Sequence, residues 1–325
     1  RKGQKMSVSR KERTIQVAKN WAIGGAMIVV YLVFALLSAN FRTTENAVLI
    51  LRQVATIAVM GCGMSFVIIG GNFDLSVGSL LSLCCCMCID LHDKIGPIPA
   101  ILVTFAVGIL SGMVSGFLIG YLRLNSMIVT LGMMNVLQAL ALMYTGGSSV
   151  MLADQNVWFG QIGKGSLGPI PYVTIIMVIV IAIYAVLLNK TVFGHHVLAV
   201  GSNDQACRYS GINDKRVIFN TFILSGLSTA IGAILLCSRG GAAQTTIGQS
   251  YEFDVITGVI LGGANLNGGS GNIIKTFIGV AIIGILKNGF VILGLPYYLQ
   301  WLTQCVIILL AVWMSIRAAR KKALS

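Results

Sequence analysis

Charge is scarce in this chain, and acid is scarcer still. Of 325 residues only 10% are charged, with ten Asp or Glu against 23 Lys or Arg, and histidine occurs three times. An average soluble domain carries about 25% charged residues. One soluble core could not hide the 56% of residues that are hydrophobic, so lipid must solvate part of them and the chain reads as an integral membrane protein. No histidine lies near a polar intramembrane residue, so no Ser/His/Asp grouping stands out, and no G-x-x-x-x-G-K-[ST] phosphate loop occurs. These absences argue against an enzyme and against ATP binding by that route. No Pro/Ser-rich linker interrupts the sequence, which reads as one polytopic domain over 1–325.

The net charge of +13 sits at the ends rather than on a nucleic-acid-binding face. Arg1, Lys2, Lys5, Arg10, Lys11, Arg13 and Lys19 form a basic tail over 1–20, and Arg317, Arg320, Lys321 and Lys322 form another over 317–325. Flanking basic clusters place both termini in the cytoplasm, where they also meet anionic membrane lipid. Residues 21–39 exceed the usual 7–15-residue apolar region of a signal peptide and read as a retained span.

Apolar runs occur around 21–39, 48–70, 75–91, 98–121, 127–144, 172–189, 217–236, 254–266, 273–293 and 297–316. Cytoplasmic ends require an even number of crossings, so eight or ten fit, and ten is the expectation. The fold class is therefore all-α, with helices broken at Gly-rich motifs. The run at 254–266 is too short to cross as a straight helix. The polar connection 190–216, with Lys190, Arg208, Lys215 and Arg216, should be cytoplasmic, whereas 145–171 and 90–97 read as external.

Two Gly/Asn-rich segments carry the strongest local signal: "GGNFDLSVGS" (70–79) and "GGANLNGGSGN" (262–272). Non-helical backbone at membrane depth is tolerated only inside protein or beside water. The segments either line a polar path, with Asn72, Asp74, Ser76, Asn265 and Asn267 facing it, or are surface loops in which Asp74 caps a helix starting at Leu75. The residues alone leave both open. Gly70 and Gly71 parallel Gly262 and Gly263, each pair following an apolar stretch, as in a transporter repeat. Lys287 and Asn288 interrupt another apolar run and either face a cavity or, for the lysine, snorkel to the interface. "CCCMC" (84–88) followed by His92 invites a metal, but packing of small residues explains the run more simply, and no metal or cofactor is assigned. Asp74 is the one convincing intramembrane acid in this reading.

Three stretches in order carry a resemblance. "GGNFDLSVGS", "FGHHVLAVGSNDQACRYSGINDKRV" (193–217) and "GVILGGANLNGGSGNI" (258–273) resemble motifs of the permease subunits of bacterial ABC importers of the ribose/xylose/galactose type. The likeness runs from about residue 45 to 316. One departure is Phe73, which gives "GGNFDLS" where that family usually reads "GGIDLS". The resemblance implies a permease in the bacterial plasma membrane that forms the path for a sugar. It further implies an ATP-hydrolysing partner subunit, an extracellular or periplasmic solute-binding protein and a second permease copy. It makes 190–216 a coupling loop to the ATPase, with Gly201, Asp204, Gly211 and Ile212 as its key positions. A self-sufficient secondary transporter or channel is the alternative.

Overall fold

The computed structural model describes residues 10–154 and 157–323. Arg1, Lys2 and Lys5 of the first basic tail lie outside the described residues, as do the side chains of the basic residues from Arg10 to Lys19 and from Arg317 to Lys322. A chain in lipid must satisfy its backbone internally, and a helix does so within one segment. Helices accordingly dominate: α1 (Arg10–Leu37), α2 (Thr44–Ile69), α3 (Val77–Ile95), α4 (Pro97–Gly116), α5 (Ser126–Thr145), α6 (Trp158–Lys164), α7 (Tyr172–Lys190), α8 (Val192–Ser202), α9 (Asp204–Tyr209), α10 (Asp214–Gly240), α11 (Tyr251–Leu261), α12 (Ile273–Ile292) and α13 (Tyr297–Ala323). A helix falls on every expected apolar run. Among the described residues six of them, α2, α4, α5, α7, α10 and α12, are long and apolar enough to cross a membrane by themselves. The chain is a helical, polytopic membrane protein.

The helix ends follow from short polar residues and glycine. Thr43 accepts the Asn46 amide at the start of α2, Asn125 accepts those of Met127 and Ile128 at α5, and Asn213 accepts that of Arg216 at α10. Each cap satisfies a backbone donor that the first turn leaves free. Gly146 and Gly241, both left-handed, close α5 and α10. Four two-residue strands make up the described sheet structure: β1 (Val150–Met151) pairs with β4 (Ala242–Ala243), and β2 (Ser166–Leu167) with β3 (Ile170–Pro171). That pairing pins the 146–171 connection to the end of α10.

Helix α10 lies at the centre, packed against α2, α3 and α4. Its seam with α4 is built from Gly108, Gly112, Gly116 and Gly120, spaced every four residues. A methyl group on Gly108, Gly116 or Gly120 would stand 2.6, 2.8 or 2.7 Å from the carbonyl oxygens of Gly226, Phe219 and Lys215. Lipid tails are as apolar as side chains, so helices associate in a membrane by close packing, and small residues let the backbones touch. Helices α2 and α12 run antiparallel: Ser65 meets Thr276 at 2.9 Å and Asn46 meets Asn288 at 2.9 Å.

Candidate functional site

The first break begins where α2 stops. Gly70 caps the helix, and Gly71 at φ 80° reverses the chain, with its amide on the Ile68 carbonyl and the Asn72 amide on Val67. The Asn72 side chain donates to the Gly70 carbonyl at 3.2 Å. Asp74 is 3% exposed and accepts three bonds: from the Ser76 amide (3.1 Å), the Ser76 hydroxyl (2.6 Å) and the Ser225 hydroxyl of α10 (2.8 Å). A buried carboxylate is costly unless its oxygens are filled. Hydroxyl and amide donors fill them here. Helix α3 starts at Val77, two residues later than the capping alternative supposed, so Asp74 folds the turn before the helix rather than capping a helix from Leu75.

The second break meets the first. Gly269 donates its amide to the Ile69 carbonyl at 2.8 Å. Gly201, near the end of α8, lies against both: a methyl group there would overlap the Ile69 carbonyl oxygen and stand 2.6 Å from the Gly269 nitrogen. One on Gly268 would stand 2.6 Å from the Gly201 oxygen and 2.9 Å from the Gly71 Cα. Three chain segments therefore touch through backbone alone. Beside this junction a cavity of about 330 Å³ is bordered by Asn72, Arg123, Gly201, Asn203, Asp204 and Asn267, among others.

Of the residues expected at the site, Gly70, Gly71, Asn72, Asn267, Gly201 and Asp204 come together at this cavity. Asp74 and Ser76 are buried. Asn265 shapes the second loop, accepting from the Asn267 amide. Gly262 packs on α12, where a methyl group would stand 2.6 Å from Thr276, and Gly263 at φ 83° turns the chain. Lys287 and Asn288 lie elsewhere, some 14 residues or about 21 Å along α12 from its start.

Lys287 binds Asp254 of α11, which also accepts from Gln304 of α13 at 2.9 Å. Asn288 donates to Asn46. Asp254 is 1% exposed and Glu252, one turn-start away, is 8% exposed. Asp74, expected as the one convincing intramembrane acid, is thus joined by two further acids buried in the bundle. Glu252 precedes and Asp254 begins the short run 254–266. Their burial follows from a second departure from a plain helix. After α10 the chain runs back as irregular backbone over 244–250, so that the Gly248 amide reaches the Ser82 hydroxyl of α3 at 2.9 Å. Helix α11, of 11 residues, then covers about 16 Å. The stretch before it is a succession of turns, closed by the Ile247 amide on Gln244, Gln249 on Thr246 and Tyr251 on Gly248.

The connection 191–213 holds two short helices. Thr191 and Asn203 cap α8 and α9. Asp214, 3% exposed, accepts from Arg123 (2.6 Å) and Arg208 (2.6 Å), and Arg208 also reaches Asp204 (2.5 Å). The bond from Asp214 holds the Arg208 guanidinium above its already high ordinary pKa. Arg123, at φ 61°, adopts a conformation that costs about 1–3 kcal/mol outside glycine. The ion pair holds it there. Ile212, expected as a key position of the coupling loop, packs partly against the core, while Tyr209 is 94% exposed. Cys84, Cys85, Cys86 and Cys88 are buried, with the Cys85 thiol 3.5 Å from the Ala233 carbonyl.

Broken helices held together inside a bundle of spans, with a polar connection pinned to the break, define a membrane permease. The chain belongs to the family described as branched-chain amino acid transport system / permease component, which matches residues 46–314. Among its relatives are the ribose import permease protein RbsC of Bacillus subtilis (strain 168), 37% identical over 298 residues (91% of each chain), and that of Escherichia coli (strain K12), 37% identical over 293 residues (88% of this chain, 90% of the relative). The L-arabinose transport system permease protein AraH of Escherichia coli (strain K12) is 32% identical over 299 residues, 90% of each chain. No solved structure matches. The chain is a permease component and not an enzyme.

Proposed function

We propose that this chain is the permease subunit of an ATP-binding-cassette importer in the bacterial inner membrane, carrying a neutral sugar of the ribose or arabinose kind. In this reading a separate subunit hydrolyses ATP, a solute-binding protein delivers the sugar from outside, and two permease copies work together in lipid. Ten spans cross the membrane, with α1, α3, the broken α11 segment and α13 added to the six long ones. Both ends and the 190–216 connection face the cytoplasm, as Lys190, Arg208, Lys215 and Arg216 favour.

The observation that carries the reading is the backbone junction of Ile69, Gly201 and Gly269. A push on α8 and α9 reaches both broken segments without passing through a flexible side chain. Gly201 and Asp204 transmit it, Gly211 turns α9 away from α10, and Tyr209 with Ile212 forms the docking face. Asn72, Asn265 and Asn267 face the path, Asp74 and Ser76 hold its wall, and the Lys287–Asp254 pair and Asn288 hold the opposite half of α12. Gly70, Gly71, Gly262 and Gly263 make the breaks. The self-sufficient alternative would need a coupling carboxylate of its own; Lys287 occupies Asp254, and Asp74 is filled by Ser76 and Ser225.

Proteoliposome uptake of D-ribose and L-arabinose tests this. Uptake should require ATP, the ATPase subunit and the binding protein together. Uptake by the permease alone would overturn it.

A further inference from the structure

We infer that the cavity between α11 and α13 is the sugar subsite of this permease, an inference that rests on the sugar-importer reading above. The cavity holds about 540 Å³, inside the roughly 300–1,000 Å³ typical of small-molecule sites. Phe253, Trp301, Cys305 and Leu309 border it, together with Gln249, Ser250 and Gln304.

Its chemistry selects a neutral polyol. Phe253 is 48% and Trp301 52% exposed, so neither ring is used up by internal packing. Gln249 and Ser250 add an amide and a hydroxyl that both donate and accept, while Gln304 is largely buried and gives its amide to Asp254. A sugar presents an apolar C–H face and a rim of hydroxyls, and flat rings with amides beside them match both parts. None of the residues bordering it is an acid, and Asp254, next to Phe253 in sequence, is bound to Lys287 and to Gln304.

Its position fits a path. Ser250, at φ 70°, starts the half-helix α11 in a left-handed conformation that side chains rarely adopt, and such strain gathers at functional sites. Two residues earlier, the Gly248 carbonyl lies where a methyl group on Gly78 would stand 2.7 Å from it. The cavity is thus joined to the first turn of α3, which follows the Asp74 break.

Cys305 supplies a native reporter, being exposed while the other seven cysteines are buried. Membranes holding the full chain are treated with a charged, membrane-impermeant maleimide, with and without D-ribose or L-arabinose, in the wild type and in Trp301→Ala. Cys305 should be labelled, a transported sugar should slow the labelling, and Trp301→Ala should raise the sugar concentration needed about tenfold, the equivalent of 1.4 kcal/mol. Labelling of Cys305 only by a lipid-soluble maleimide would overturn the inference, as would labelling that the imported sugar does not slow. Wild-type importer that takes up neither sugar would instead overturn the substrate reading beneath it.

Discussion

The amide of Gly269 donates to the carbonyl of Ile69 at 2.8 Å, joining two glycine-rich segments that lie 200 residues apart in sequence. That carbonyl is the one a methyl group on Gly201 would overlap. A single backbone oxygen is therefore shared between the two breaks and the connection that precedes α9.

Gly201→Val should cut sugar uptake to about a tenth or less while the protein still inserts and still binds its ATPase subunit. The side chain would part α8 from the junction, and backbone there has no rotamer with which to yield. Uptake and co-purification, measured on the same membranes, check it; normal uptake would show that the junction transmits nothing.

Asp74→Asn should destabilise the detergent-solubilised permease by about 1–3 kcal/mol, since the amide nitrogen cannot accept a hydroxyl proton in a buried site. Ser225→Ala removes one donor to the same oxygen pair. The two losses should be non-additive by about 0.5–3 kcal/mol, as for residues in one hydrogen-bond network. Additive losses in thermal unfolding would contradict the shared network.

Lys287→Met should lower folded yield by leaving Asp254 charged and buried, a loss of about 3–5 kcal/mol for a fully buried pair and less here because the lysine is 32% exposed. Asp254→Asn combined with Lys287→Met should recover much of it. Yields by fluorescence-detected size exclusion give the comparison, and a double variant as poor as the single would argue against pairing as the cause.

Gly112→Leu should prevent the α4–α10 seam from closing, because a methyl group there would already overlap the Phe222 carbonyl. Gly132→Leu, on α5 where nothing stands within 4 Å, should be nearly silent. Membrane-inserted yield separates the two.

Tyr209→Ala should weaken co-purification of the ATPase subunit without changing permease yield, because the ring is exposed and contributes little to the fold. Gly211→Ile should act on the same assay by a different route, forcing a β-branched residue to φ 80°. Unchanged co-purification in both would remove α9 from the docking face.

The helices were legible because apolar length survives any detail of packing: each of the ten runs carries a helix, six of them long and apolar enough to cross a membrane among the described residues. The glycine breaks were legible for a similar reason: a chain reversal needs residues such as Gly71 whatever surrounds it. What the residues around Asp74 left open was direction. Whether that carboxylate met water or Ser225 depended on a residue 151 positions away. Asp254 was missed because only the irregular stretch 244–250 carries it to depth, and irregular backbone has no period to read. The four-residue spacing of Gly108, Gly112, Gly116 and Gly120 was present in plain view, and the structure supplies its meaning by placing α10 along it.

That glycine seam also limits how the protein can move. Two helices touching backbone to backbone at four successive turns have no side-chain layer between them to shear, so α4 and α10 must travel as one stiff plank. A plank does not flex; it tilts. Since Asp214, at the root of α10, is tied to Arg123 past α4 and to Arg208 on α9, its tilt is read at that end as a swing of α9 itself. The compliance of the molecule then resides in the two glycine reversals and in the irregular stretch before α11. Those are the places where successive states of the transport cycle should differ in backbone torsion.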